Sequence, residues 1–341
     1  MAFLGGFFGI EFPPAEAPGI GSYWGMPPDP ALTFVNARSA LSALLASVRP
    51  PTLWLPAYIC RSVPQAAAAA ETPVRYFPVD VSLQPDIAFL DAATRAGDMV
   101  LAVDYFGRAP DAPFLDFVAQ RQDLRFVEDG CHAVDTGAPP WGRWCLRSPR
   151  KLVGVPDGGF IAPGDDIAEP HRSRIDPRLD AQRAACLRFE DEEEQANPRW
   201  HAANQERETA ENVSRRRMSR LARELLARLP VEAIARQRRD NFQALAESMS
   251  GLAFLPDQRP AYVPLGFPVR LPPATRSRVR ADLIEQGIFP AVHWDDLPSP
   301  ASFAVAHGLA GELLTLPCDQ RYGTADMERV ADVLRQSVRR P

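Results

Sequence analysis

In the first 163 residues, short apolar runs alternate with longer stretches whose apolar side chains recur at helical spacing. The runs TLWLPAY (52–58), VRYFPVD (74–80), MVLAVDYFG (99–107), LRFVEDG (124–130), WCLRS (144–148) and GGFIAP (158–163) are rich in β-branched and aromatic residues and read as strands. Between them lie ARSALSALLASV (37–48), SVPQAAAAAE (62–71), PDIAFLDAATRAG (85–97) and APFLDFVAQRQ (112–122), each compatible with a helix. Strands separated by helices of this length predict βαβ units and a mostly parallel sheet flanked by helices.

From about 178 to 250 the pattern turns long, charged and helical. RRRMSRLARELLARL (215–229) places Met218, Leu221, Leu225, Leu226 and Leu229 on one stripe, Pro230 interrupts it, and a second helix is expected over 231–250. A smaller α/β pattern follows: strand 263–271, helix 273–287, strand 288–294, strand 312–318 and helix 325–336. The expected division is a large α/β domain with an N-terminal arm over 1–180, connecting helices over 181–250 and a small C-terminal α/β domain over 251–341. No internal repeat is visible.

Composition narrows the class. Hydrophobic residues make up 46% and charged residues 24%, ordinary values for a soluble globular protein. A net charge of −5 gives no general attraction to nucleic acid or anionic membranes, and acidic runs such as 190–194 offset the arginine clusters at 215–217 and 236–239. The opening MAFLGGFFGIEF lacks a basic start and contains an acid, so it reads as neither a signal peptide nor an anchor, and no run approaches the ~20 apolar residues of a spanning helix. Five scattered cysteines show no CxxC pair and no zinc spacing, which predicts reduced thiols, no metal site and a cytoplasmic protein. The 35 prolines make many connections stiff and extended.

One residue stands out against this background. Of 38 basic side chains, only Lys151 is a lysine. Arginine serves as well as lysine in most ion pairs, but a guanidinium stays protonated and cannot attack a carbonyl. Schiff-base chemistry requires the amine. A chance survivor on a surface turn is the plain alternative. The position of Lys151, just after a predicted strand and before Asp157-Gly158-Gly159, favours the functional reading.

Pyridoxal phosphate is the cofactor that most often demands such a lysine. It also needs a carboxylate at its ring nitrogen, a phosphate cradle and a partner for its phenolic oxygen. Asp129 falls at the carboxyl end of a predicted strand, where open α/β sheets bind ligands, and His132 follows three residues later. Taken alone, Asp129 reads equally well as a strand-end turn carboxylate. Arg38 and Ser39 stand where an extended segment becomes a helix, a position suited to phosphate or to simple helix capping.

The order VNARSAL, LPAYIC, DYFG, VEDGCHAV, SPRK, DGGFI and LPCDQRY resembles the DegT-type aminotransferases over roughly residues 30–338. These are fold-type-I pyridoxal phosphate enzymes best known for aminating nucleotide-linked keto sugars. The resemblance implies that Lys151 forms the Schiff base and Asp129 pairs with the pyridinium nitrogen. It places His132 near the phenolic oxygen, and Arg38 and Ser39 at the phosphate with Ser148. It further implies that Tyr58, or its neighbour Cys60, stacks on the ring, and that His293 in VHWDDLP lies near the substrate. Three features depart from the family pattern. Ala37 replaces a usual glycine, Ser148 stands three rather than about five residues before the lysine, and RRRMS with Arg215 or Asn212 stands where the family has a cross-subunit asparagine.

The resemblance implies an aminotransferase moving nitrogen from glutamate to a nucleotide-linked keto sugar, in surface-polysaccharide or secondary-metabolite biosynthesis, with active sites shared in a homodimer. Two rivals stand beside it: another pyridoxal phosphate reaction on the same scaffold, such as a lyase or decarboxylase, and a degenerate binding or regulatory member.

Overall fold

The computed structural model describes residues 4–13, 25–134, 137, 139–176, 180–191, 198–210, 213–249, 251–255, 257 and 259–340. Its strands are β1 (Leu4–Gly5), β2 (Thr33–Phe34), β3 (Leu53–Pro56), β4 (Val74–Phe77), β5 (Met99–Val103), β6 (Arg125–Asp129), β7 (Trp144–Arg147), β8 (Gly159–Ala162), β9 (Phe267–Arg270), β10 (Ile288–Phe289) and β11 (Leu313–Leu316). Its α-helices are α1 (Ala37–Val48), α2 (Ser62–Ala69), α3 (Ile87–Ala93), α4 (Ala112–Gln120), α5 (Asp180–Phe189), α6 (Pro198–Ala210), α7 (Arg220–Leu226), α8 (Val231–Ser248), α9 (Pro273–Glu285), α10 (Ala304–Glu312) and α11 (Thr324–Arg339).

Seven strands form the central sheet in the order β2-β8-β7-β6-β5-β3-β4. Pairing is parallel from β7 through β6, β5 and β3 to β4, and antiparallel where β8 joins β7 and β2 joins β8. This is the mostly parallel, helix-flanked sheet that the alternating pattern predicts. Leu53, Leu55, Val100, Leu101 and Val127 are fully enclosed between the helical layers. Parallel strands covered on both faces carry such continuous apolar runs.

Helix α1 shows how the local sequence sets an element. The Asn36 side chain accepts the Ser39 N–H at 2.8 Å and caps the first turn, while Arg49 ends the helix in the left-handed region at φ 49°. Leu41, Leu44 and Leu45 are buried on the sheet, each contributing about 1.5–3 kcal/mol relative to exposure.

A second apolar cluster joins Phe242, Leu245 and Met249 of α8 to Phe267 and Val269 of β9, Leu283 of α9, Leu314 and Leu316 of β11, and Val330 and Leu334 of α11. Leu4 of the N-terminal arm belongs to it too, because β1 pairs in parallel with β10. Leu297 and α10, by contrast, pack with the central-sheet core.

The helix expected from residue 215 begins at Arg220. Residues 215–217 run extended: the Val35 N–H donates to Arg216 O at 2.9 Å and the Arg217 N–H to Arg174 O at 2.9 Å. Those backbone bonds hold the segment beside β2 until Ser219, whose hydroxyl accepts the Ala222 N–H at 3.1 Å and starts α7. The predicted strand over 288–294 shortens to the two residues of β10.

Candidate active site

The central strands deliver their carboxyl ends to one cavity of about 460 Å³. Asp129 is the last residue of β6, in register with Val103 of β5 and Leu146 of β7. Its Oδ1 accepts the Cys131 N–H at 3.1 Å, which orients the carboxyl at the strand end, where it lines the cavity. The turn that follows carries His132, buried and also in the wall.

Lys151 ends a single 3-10 turn, Pro149–Lys151, that follows β7. Proline fixes the first position of that turn, and the Lys151 N–H closes it on Ser148 O at 3.1 Å. Among the described residues the Lys151 amine has no hydrogen-bond or ion-pair partner. Ser148, Arg150 and Lys151 all line the cavity.

Opposite them stands the start of α1, with Asn36, Ala37 and Arg38 in the wall. A helix start presents unpaired amides and the positive end of its dipole. Gly159 of β8 makes this approach possible, since a Cβ there would lie 2.0 Å from the Ala37 nitrogen. Its neighbour Asp157 is buried and accepts the Ser219 N–H at 2.8 Å and the Gln182 side-chain amide. Asp157-Gly158-Gly159 therefore does more than turn the chain; it docks α7 and α5 on one side and α1 on the other.

Aromatic rings close the remaining wall. Trp294 stacks on His132 with centroids 5.5 Å apart and an interplanar angle of 26°. His293 Nδ1 lies 3.0 Å from Thr315 Oγ1. Phe106 packs its ring edge-on to His293 at 5.8 Å and holds a left-handed φ of 58°, a conformation rare for a bulky side chain. From the N-terminal arm, Phe7 and Phe8 line the cavity as well.

Burial and the charge of Lys151 push both histidines down: His132 lies well below the usual imidazole range and His293 falls to about 3. Both are neutral at physiological pH. Burial pushes the Cys131 thiol up, with Asp129 adding to the effect. Beneath the site, burial and the neighbouring Glu128 hold the Asp104 carboxyl well above its ordinary range. Among the described residues, no group of three or more His, Cys, Asp or Glu side chains is arranged to hold a metal ion.

Solved structures share this architecture. A DegT DnrJ EryC1 StrS aminotransferase from Brucella abortus superposes with a TM-score of 0.63 at 16% identity, covering 91% of this chain and 86% of that one. The sugar aminotransferase CalS13 from Micromonospora echinospora gives 0.60 at 15% identity, covering 89% and 86%. NtdA from Bacillus subtilis, solved with bound cofactor PMP, gives 0.64 at 16%, covering 91% and 73%. The chain shares the fold of these solved structures. The likeness is one of fold; no family model matches the chain, and no curated protein sequence matches it.

Within that fold, the cavity brings together Lys151, Asp129, His132, Arg38, Ser148 and His293. Ser39 sits one position further along α1; its hydroxyl accepts the Ser214 N–H at 3.1 Å, and it is not part of the lining. Tyr58 lies behind the wall, fully buried between Tyr105 and Trp294, and its carbonyl accepts the Tyr105 hydroxyl. Its neighbour Cys60 is the residue of that segment that reaches the lining. Arg215 donates to Arg172 O at 3.0 and 2.8 Å, and Asn212 lies outside the described residues. Sequence reasoning missed Trp294, Thr315 and the arm residues Phe7 and Phe8. Trp294 alone had a signal, as the large aromatic beside His293.

Proposed function

We propose that this protein is a pyridoxal phosphate-dependent aminotransferase with Lys151 as its reactive amine. The observation that carries the reading is one cavity holding the sole lysine, with its amine unpartnered among the described residues, together with Asp129, His132 and the start of α1. The residues fit the cofactor. His132 Nδ1 is buried and has no hydrogen-bond partner among the described residues, an arrangement that costs about 1–3 kcal/mol unless a ligand satisfies it. A carboxyl group and a helix start stand in the same lining, where a ring nitrogen and a phosphate need them.

When bound, pyridoxal phosphate supplies an aldehyde that captures amines and a ring that accepts the electron pair left at the substrate Cα. The chain does the rest. Lys151 would hold the cofactor, and its amine would move the proton to and from the substrate Cα. Asp129 would keep a proton on the ring nitrogen, and His132, held neutral by burial, would serve the phenolic oxygen. Arg38 and the first turn of α1 would hold the phosphate, with Ser148 in the same lining. Trp294 packs on the His132 ring and Phe106 on the His293 ring, which steadies both imidazoles, and His293 would meet the substrate.

Glutamate is the donor in this reading and a nucleotide-linked keto sugar the acceptor, supported by the resemblance in sequence and by the sugar aminotransferase among the structural neighbours. The reading includes a cytoplasmic homodimer whose subunits complete each other's sites. The half-reaction tests it. Glutamate should bleach the visible absorbance of the cofactor-loaded protein, and one of a panel of keto-sugar nucleotides should restore it. Failure of the protein to bind the cofactor overturns the reading. A colour that survives every amino donor replaces it with a lyase or decarboxylase.

A further inference from the structure

The backbone just after Lys151 is clamped from two directions. Leu152 O accepts a hydrogen bond from Arg238 Nη2 at 2.7 Å and another from Gln320 Nε2 at 3.0 Å. Two residues further on, Gly154 exchanges a pair of hydrogen bonds with Glu11 of the N-terminal arm. The Glu11 N–H donates to Gly154 O at 2.8 Å, and the Gly154 N–H donates to Glu11 Oε2 at 2.5 Å. Gln320 ties the two clamps together by also donating to Glu11 Oε1 at 3.0 Å. A Cβ on Gly154 would lie 2.5 Å from the Glu11 nitrogen, so the glycine is what admits the arm.

The same arm reaches the cavity. Phe7 and Phe8 line it, and Arg321 secures them with its guanidinium 4.0 Å over the Phe8 ring and hydrogen bonds to Phe7 O and Gly6 O. One continuous segment thus touches both the cavity and the chain that presents the lysine. The 3-10 turn fixes the backbone on the amino side of Lys151. The Glu11 clamp restricts it on the carboxyl side, leaving the side-chain torsions as the freedom of the amine.

We propose that Glu11 is a positioning residue for Lys151, through which seating of the arm over the cavity fixes the loop that presents the amine. The inference rests on the reading of Lys151 as the reactive group. A carboxylate accepting a backbone N–H is among the stronger hydrogen bonds available to the loop. Arg238 is wholly buried, so changing it disturbs the core, whereas Glu11 sits on the arm and allows positioning to be separated from folding.

Amide hydrogen exchange on the full chain, which needs no cofactor, tests the clamp in Glu11→Ala, Gln320→Ala and Glu11→Gln variants. In Glu11→Ala, exchange across 152–155 should accelerate by roughly ten- to a hundredfold, as expected for one lost charge-assisted hydrogen bond, while β5 and β6 keep their protection. Acylation of Lys151, read on the only lysine-containing peptide, should speed up in step. Gln320→Ala should act at the same segment, and Glu11→Gln, which keeps an oxygen for the Gly154 N–H, should restore most of the protection. Unchanged exchange and acylation at 151–155 in both alanine variants would overturn the proposal. Protection lost equally across the central sheet would do the same, by making Glu11 merely structural. A wild-type protein that never bonds pyridoxal phosphate through Lys151 is a separate outcome that sinks the functional reading and leaves these exchange rates to be judged on their own.

Discussion

His132 and His293 meet edge to face in the cavity wall, with ring centroids 5.2 Å apart. Both are held neutral by burial and by the charge of Lys151, and His132 is depressed further by His293 itself. The pair gives the site two imidazoles that are able to hydrogen-bond without carrying charge.

That depression makes stability depend on pH with a defined sign. In the unfolded chain each histidine takes up its proton near pH ~6.5, whereas in the fold His293 resists until about 3. The unfolded state therefore binds more protons as pH falls below ~6.5, and the fold loses stability through that window. Thermal melting from pH ~8 to ~4 should show this loss, and His132→Gln or His293→Gln should each flatten the slope. An unchanged slope in both variants would remove the buried neutral pair from the account.

Gly159→Ala should be strongly destabilising, because the new methyl meets the backbone of Ala37 at 2.0 Å and of Asn36 at 2.2 Å and neither can give way easily. The expected cost is about 1–3 kcal/mol or more in urea unfolding. Gly308→Ala, inside α10 with nothing within 4 Å of the added atom, should instead stabilise by about 0.5–1 kcal/mol.

Asp157→Ala removes the buried acceptor of both the Ser219 N–H and the Gln182 amide. A loss of about 2–4 kcal/mol is expected, with α7 and the start of α5 showing the earliest hydrogen exchange. Exchange that rises first in α11 would contradict this placement.

Asp129→Asn keeps an oxygen for the Cys131 N–H, so the strand end should hold its shape. Without a carboxylate at the ring nitrogen, single-turnover amino transfer should slow by about 10²–10³-fold, with little change in melting temperature. Wild-type rates in this variant would remove Asp129 from the chemistry.

The alternation of strands and helices was legible because the central strands are covered on both faces and carry apolar runs, such as MVLAV in β5 and Phe126-Val127 in β6. Lys151 was legible because it is the one lysine among 38 Lys and Arg residues, and Asp129 because strand ends are where such sheets bind ligands. Ser39 shows where local pattern stops deciding. One step along a helix turns a side chain by roughly 100°, which carries it from the wall that Arg38 reaches to the Ser214 backbone. Tyr58 and Cys60 are two residues apart, yet only Cys60 reaches the lining, because Tyr58 fills space between Tyr105 and Trp294. The arm lay beyond any local signal. Its placement depends on contacts such as Glu11 with Gln320, 309 residues apart, and no periodicity encodes those.

The central claim is that Lys151 bonds the cofactor, and the scarcity of lysine makes it directly measurable. Borohydride reduction of the full-length protein with pyridoxal phosphate, followed by peptide mass spectrometry, should place the phosphopyridoxyl group on the peptide containing Lys151, and Lys151→Ala should carry none. Wild-type protein that is unlabelled after reduction, or labelled only at its terminal amine, would contradict the account.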